Sequence, residues 1–430
     1  MPKKESKKFF SPPRPQSSQR KQEKNSVVFV FSVVKSLSLI LFIGLSACAN
    51  QNPTQVQILA TSTAIPTTFP IRTPEIISIE DSPLKEAIIA SGDYLVRQQL
   101  PNGELAYQVN ILNNDRAYLP SYVRLIAATG SLYTICRVSG DSAYCSAADL
   151  ALTHYLENLV SDPERFTGAC FYTNGGCPLG GAALTIDAIY KRWQATGEFR
   201  LEDRNVLATA IDLGYFIISM RKPEGGFYHS FDPHFAGTAD ADYFVTYFNG
   251  ESLYALLQLY EMTKNKFWLT QAHEINDFMI TQPVTEDHWH GYAFAMFARL
   301  DKLSQDDIAY AAEIANLIID GQVRSLNSIN TSISTATKIE ALASIAQAFY
   351  LSDVEHEWLD REIRTFITFV RARQLPDNNC NFEITVEVIE KYRGGIFSSC
   401  EDPSIRIDGV QHWINGIAAF LEYESMIEGK

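Results

Sequence analysis

From about Leu84 to Glu424, apolar residues return every three or four positions, in runs long enough for amphipathic helices. In SIRIDGVQHWINGIAAFLEYE, near the end of the chain, Ile414, Ile417, Ala418 and Leu421 share one face. The spacing predicts about twelve helices, near 84–99, 120–136, 142–160, 181–196, 203–221, 249–263, 267–281, 287–301, 306–321, 334–350, 355–373 and 408–425. Links between them alternate in length. RVSGD, TGEFRLED, TKNKF, KLSQ and LSDVE are short. Those around 100–119, 161–180, 222–248, 322–333 and 374–407 are long, and only 282–286 is brief in a long position. Three long links begin alike, with QQLPNGELAY, MRKPEGGFYHSF and RQLPDNNCNF. Pro and a turn residue end the helix, and a short β-like run follows. This is an internal repeat of helical hairpins, each needing neighbours to cover its apolar face. The expected fold class is all-α. About six hairpins close into a ring, one helix of each pair inside, with short β-hairpins in the long links.

One repeat is more specific. NGESLYALLQLYEMTKNKFWLTQAHEINDFMI resembles the hairpin of the six-hairpin (α/α)6 toroid superfamily, and LTIDAIYKRWQATGE and YVRLIAATGSLYTI are weaker copies. The resemblance covers roughly Leu84 to Glu424 and implies a toroid domain over 83–430. That superfamily includes glycoside hydrolases, polysaccharide lyases and sugar epimerases, so the implied partner is a carbohydrate or polysaccharide.

Alternating links assign sides. Helices after long links, near 120, 181, 249, 287, 334 and 408, form the inner set, and their N-termini converge on one face. Such ends carry free N–H groups and partial positive charge. The residues gathered there are Tyr122 and Arg124; Tyr247, Asn249 and Glu251; Asp287, His288, Trp289 and His290; Lys338 and Glu340; and Arg406, Asp408, Gln411, His412 and Trp413. The helix opening GGAALTI brings no polar group there and gives space.

Carboxylates, imidazoles and flat aromatics together suit sugar chemistry. One carboxylic acid protonates a leaving glycosidic oxygen while a second carboxylate activates water or attacks. Glu251, Asp287 and Asp408 are the acid/base candidates, and His288 and His412 move protons in an epimerisation or elimination. Arg124, Arg406 and Gln411 orient hydroxyls or a carboxylate. Tyr247, Trp289, Glu340 and Trp413 complete the substrate-facing set. Each has a structural alternative. Asp287 and Asp408 are natural N-caps, Glu251 suits the first-turn dipole, and Arg406 with Asp408 forms an ion pair. His412 with Trp413 suits a core, and Lys338 and Glu340, two apart, do not face each other. The expected activity is glycoside hydrolysis. A lyase or epimerase using His and Tyr comes second, and a non-catalytic glycan-binding or envelope-structural lipoprotein third.

Charge and the N-terminus change the setting. A net charge of -14 over 430 residues excludes nucleic acid as partner. Basic, Pro/Ser/Gln-rich residues lead into the apolar run SVVFVFSVVKSLSLILFIGLSACAN. Leu45-Ser46-Ala47-Cys48 is similar to the lipobox of bacterial lipoproteins, which implies a signal peptide over 1–47 and lipidation of Cys48. Residues 48–82, rich in Thr and Pro, read as a tether. An uncleaved anchor over Val27–Ala47 is the alternative, and both readings place a monomeric domain outside the cytoplasm on a bacterial membrane. Six further cysteines fall into local couples, Cys136 with Cys145, Cys170 with Cys177 and Cys380 with Cys400, as a disulfide framework requires. CxxC, HExxH, GxSxG and P-loop motifs are absent, and DHWH lacks helical zinc spacing, so no metal or cofactor is expected.

Overall fold

The computed structural model describes residues 82–118, 122–173, 175–232, 244–321 and 331–429. Cys48, the signal segment and the tether lie outside them. Thirteen helices occur among the described residues. The inner six are α2 (Tyr122–Ser139), α4 (Leu179–Thr196), α6 (Phe248–Thr263), α8 (His288–Leu300), α10 (Ser332–Leu351) and α13 (Ile407–Glu428). Each packs on the next, and α13 returns to α2, so the ring closes. Outside them stand α1 (Pro83–Arg97), α3 (Ser142–Leu156), α5 (Val206–Ser219), α7 (Lys266–Met279), α9 (Gln305–Asp320) and α11 (Glu357–Arg371). The two sets differ as burial demands. α10 is buried on every side, whereas α11 buries one stripe through Leu359, Ile363, Phe366 and Val370. None of the described helices is long and apolar enough to cross a membrane.

Caps follow this division in part: inner α8 and α10 carry side-chain caps and outer α11 does not. Ser82, Asp141, Asn205, Asn265 and Ser304 cap outer helices with side-chain oxygens. The inner helices α4, α6 and α13 begin without a side-chain cap. Their first N–H groups are therefore left for other partners.

Helix ends depart from the periodicity where local pairing competes. α5 starts at Val206, not 203, because Arg200–Leu201 pairs with Arg204–Asn205 and Asn205 caps the helix. α3 stops at Leu156, not 160, because Leu159–Val160 pairs with Cys170–Phe171. A further helix, α12 (Val386–Lys391), lies in the last long link and is too short to show a period.

First and last long links meet. The strand Gln108–Asn110 pairs with Asp115–Ala117 on one side and Ser404–Arg406 on the other. Nearby, Ser91 Oγ donates to the Gly394 carbonyl at 2.8 Å, and Gln374 Nε2 to the Ala87 carbonyl at 2.8 Å. Gly394 has φ +84, and a Cβ there would sit 1.8 Å from the Ala90 oxygen, so only glycine fits this closure. The three expected disulfides are formed, with Cα separations of 5.4, 5.8 and 4.9 Å for 136–145, 170–177 and 380–400.

Candidate functional site

The N-termini of the inner helices surround a cavity of about 500 Å³, lined by Arg124, Tyr247, Glu251, His288, Trp289, Arg406, Asp408, Gln411 and His412 among others. On its wall, three side chains from three helices meet, with Glu340 buried behind the two imidazoles. His412 Nδ1 lies 2.7 Å from Glu340 Oε2, and His288 Nε2 lies 3.6 Å from the same oxygen. The two imidazoles are 5.2 Å apart between centroids and nearly perpendicular, at 85°. Tyr292 donates its hydroxyl to Glu340 Oε1 at 3.1 Å and fixes the carboxylate. Tyr247 packs edge-on against His288 at 5.1 Å.

Electrostatics separates the imidazoles. Burial pushes His288 well below the usual imidazole value, and the His412 charge adds to this. Burial pulls His412 down too, but the Glu340 charge and hydrogen bond, with Asp408 behind them, outweigh it and raise the pKa. Both ring nitrogens of His288 are buried without a hydrogen-bond partner.

A comparison with known proteins fits this ring. No protein-family model matches the chain, and no curated protein is similar to it. Solved structures match along its length. An unsaturated glucuronyl hydrolase specific for heparin shares 11% identity over 80% of this chain and 98% of its own, with a TM-score of 0.55. A cellobiose 2-epimerase from Bacillus thermoamylovorans shares 12% over 79% and 98%, with a TM-score of 0.57. A D-mannose isomerase shares 10% over 80% and 97%, also with 0.57. The fold is an (α/α)6 toroid.

Within the toroid, carboxyls stand around the imidazole pair. Asp408 accepts from Arg406 Nε at 3.1 Å and pairs with Arg124 Nε at 3.0 Å, so two guanidiniums clamp it. Both lie over the Tyr107 ring. Asp287 caps α8, accepting from the Trp289 N–H at 3.0 Å. Burial raises its pKa to about 7, against the opposing backbone hydrogen bonds. Burial also holds Glu251 well above the usual carboxylate range, with Asp287 and Asp187 adding to the shift. Lys338 turns away from Glu340 and pairs with Glu286, and burial lowers it to about 8.

Of the residues expected at the mouth, eleven reach the cavity or the imidazole–carboxylate cluster on its wall: Tyr122, Arg124, Tyr247, Glu251, His288, Trp289, Glu340, Arg406, Asp408, Gln411 and His412. Asp287 sits behind the wall as a cap. Trp413 departs from the expectation: it is fully buried in the core and does not line the cavity. One residue is about 100° of helix rotation, so a neighbour facing the ring axis turns Trp413 away from it. His290 also turns away, towards Asn276 Oδ1 at 2.9 Å. Tyr292, Asp187 and Gly250 were missed by sequence reasoning, whereas the space given by GGAALTI was expected. The Gly-Glu pair at 250–251 was the available signal.

His288, Glu340 and His412 offer one donor atom each, all within 4.8 Å of one another. The donor set suits a divalent cation of the zinc type. A cation there would have to displace the hydrogen bond that joins His412 to Glu340.

A second cavity, of about 380 Å³, lies at the C-terminal ends of the same helices. Trp289 lines both. Tyr254, Trp289 and Tyr292 pack together between them, with centroids 5.4 to 6.1 Å apart.

Proposed function

We propose that the chain is a sugar-converting enzyme that moves a proton on carbon, in the manner of an epimerase or isomerase. One observation carries this reading. Two imidazoles from different helices face the same cavity across one carboxylate, and their environments bias them in opposite directions. His412 favours its protonated form and is the acid. His288 favours its neutral form and is the base. Pairs pushed apart in this way mark acid and base roles. An epimerase and an isomerase among the structural relatives add support.

The substrate class is a sugar with hydrogen on a carbon beside a carbonyl. His288 accepts that proton, and His412 returns one from another direction. Tyr247 and Trp289 offer apolar faces to the ring, and Arg124 and Gln411 reach its oxygens. Hydrolysis by paired carboxylates is the second reading, supported by Glu251. It is less favoured because Asp287 is engaged as a cap and Asp408 by two arginines.

The test is to incubate the protein with aldoses, ketoses, uronates and disaccharides in D2O, following carbon-bound hydrogen by NMR and new reducing ends together. Deuterium at the carbon beside the carbonyl, lost in His412→Asn, is the expected result. New reducing ends without deuterium would replace this reading by hydrolysis. Stoichiometric Zn2+ should inhibit; activation by Zn2+ and loss on chelation would give the cluster a metal role instead.

We also propose that the domain works outside the cytoplasm, tethered by a lipid on Cys48. Three short-range disulfides support an oxidising compartment. Cys48→Ser should accumulate unprocessed precursor; a normally acylated product from that variant would reject the anchor.

A further inference from the structure

Glu251 sits in the first turn of α6, where its N–H bonds to the Tyr247 carbonyl at 2.9 Å. It is 7% exposed, and its side chain lines the mouth cavity. Its Oε2 is buried and meets no hydrogen-bond partner. The wall is shaped around this carboxyl. A Cβ on Gly180, on the neighbouring inner helix α4, would lie 2.4 Å from Glu251 Oε2. A Cβ on Gly250 would lie 2.3 Å from Asp287 Oδ2. Two glycines thus let two carboxyls sit against backbone.

The groups facing Glu251 are acidic or neutral. Asp187 approaches from α4, Asp287 and His288 from the head of α8, and Tyr247 from its own helix. Asp187 is already met by Lys191 at 2.8 Å and Gln258 at 2.7 Å. Among the described residues, none of the recorded ion pairs places a cation on Glu251. A charge held there would be costly, while a neutral carboxyl keeps one O–H to donate.

We propose that Glu251 is a neutral acid whose O–H meets a sugar carbonyl oxygen in the cavity and protonates it as charge builds there. This rests on the proton-transfer reading above. When His288 takes hydrogen from the neighbouring carbon as a proton, the C–H electron pair becomes the new C=C bond. The carbonyl π pair moves to oxygen, and that oxygen takes the Glu251 proton. One imidazole gains a proton, one carboxyl loses one, and the product is an enediol. His412 then gives its proton to that carbon from the other side, and the enediol oxygen returns its proton to Glu251 as the carbonyl re-forms. Loss of the abstracted proton from His288 to solvent and uptake of one by His412 restore the enzyme. The upward shift of the Glu251 pKa, from burial and then Asp287 and Asp187, agrees with a carboxyl that is neutral at rest.

The test uses the full chain and a non-reacting probe, D-glucono-1,5-lactam labelled with 13C at its carbonyl. Infrared spectra of the free protein should show a protonated-carboxyl band at neutral pH that Glu251→Gln removes. The labelled carbonyl band should shift on binding. Binding should weaken at least tenfold in Glu251→Ala and less in Glu251→Gln, whose amide still donates. Wild-type affinity should fall as pH rises through the carboxyl's titration, while Glu251→Gln should not follow pH. Should Glu251→Ala fail to fold, the Gln variant carries the comparison. Absence of the band, a lactam that does not bind the folded protein, or binding unchanged by both variants would overturn the assignment. The D2O exchange separates the two claims. A shifted carbonyl without carbon exchange keeps Glu251 as donor and rejects the proton-transfer reading. Exchange that survives Glu251→Gln with an unchanged pH profile does the reverse.

Discussion

The two ends of the toroid axis hold cavities built from the same six helices, yet they treat charge differently. At the C-terminal end each cation has an acceptor, and of these cations only Arg137 Nε is buried without a hydrogen bond of its own among the described residues. Arg299 grips Glu261 through two nitrogens, both at 2.7 Å, and Lys191 meets Asp187 at 2.8 Å. Arg137 meets Gln194 at 2.9 Å and Glu422 at 3.5 Å. At the N-terminal mouth, Glu251 Oε2 and both nitrogens of His288 are buried without a hydrogen-bond partner. Titration is displaced there as well, upward for Glu251, Asp287 and His412 and downward for His288. Polarity alone therefore does not mark a working site. A paired network stabilises; buried groups left unpaired, at a fold's expense, point to a ligand that completes them.

The widest separation between the ends should appear in turnover. His412→Asn or Glu340→Gln should lower it by about 10²–10⁴-fold, the usual worth of a positioned acid or base. Glu340→Gln should also move the alkaline limb of the pH profile downward, because His412 loses the carboxylate that raises it. Glu261→Ala, at the other end, should leave turnover per folded molecule near wild type and cost stability of about 1–3 kcal/mol in denaturant titrations. The contrast breaks if Glu261→Ala silences the enzyme without destabilising it.

A smaller effect sharpens the mouth itself. Gly250→Ala would drive a methyl onto the Asp287 carboxyl and should cost about 1–3 kcal/mol, read as a lower midpoint in urea. An unchanged midpoint would show that this wall yields.

The gentlest probe is the pH dependence of stability. Asp287 keeps its proton up to about 7 when folded but releases it in the ordinary carboxylate range when unfolded. Stability should therefore fall as pH rises across that window, by at most about 1.4 kcal/mol per pH unit for one proton. Asp287→Asn, which still caps, should flatten the slope. His288 acts oppositely: its depressed value makes the fold lose stability as pH drops below the usual imidazole range.

Helices and their inner and outer roles were legible because burial imposes a period and alternating link lengths impose a direction. The mouth was legible as a set of helix starts. Partnerships within it were not. Glu340 and His412 are 72 residues apart, and nothing local tells that one carboxylate serves two imidazoles. Trp413 was misplaced because a neighbour's chemistry was allowed to override helix rotation. Tyr292 looks like any apolar-face tyrosine until its hydroxyl finds Glu340.

Ring closure has a consequence for biosynthesis. The strand Ser404–Arg406 and α13 leave the ribosome after the other five inner helices, and they bring Arg406, Asp408, Gln411 and His412 with them. Until then the hairpin strand Gln108–Asn110 lacks one neighbour, Arg124 lacks Asp408, and Glu340 lacks its imidazole. A chain shortened before Ile407 holds five of the six inner helices, with His288, Glu251 and Glu340 but without Asp408, Gln411 and His412. On the proposed reading, the acid His412 joins the base His288 only once α13 has docked.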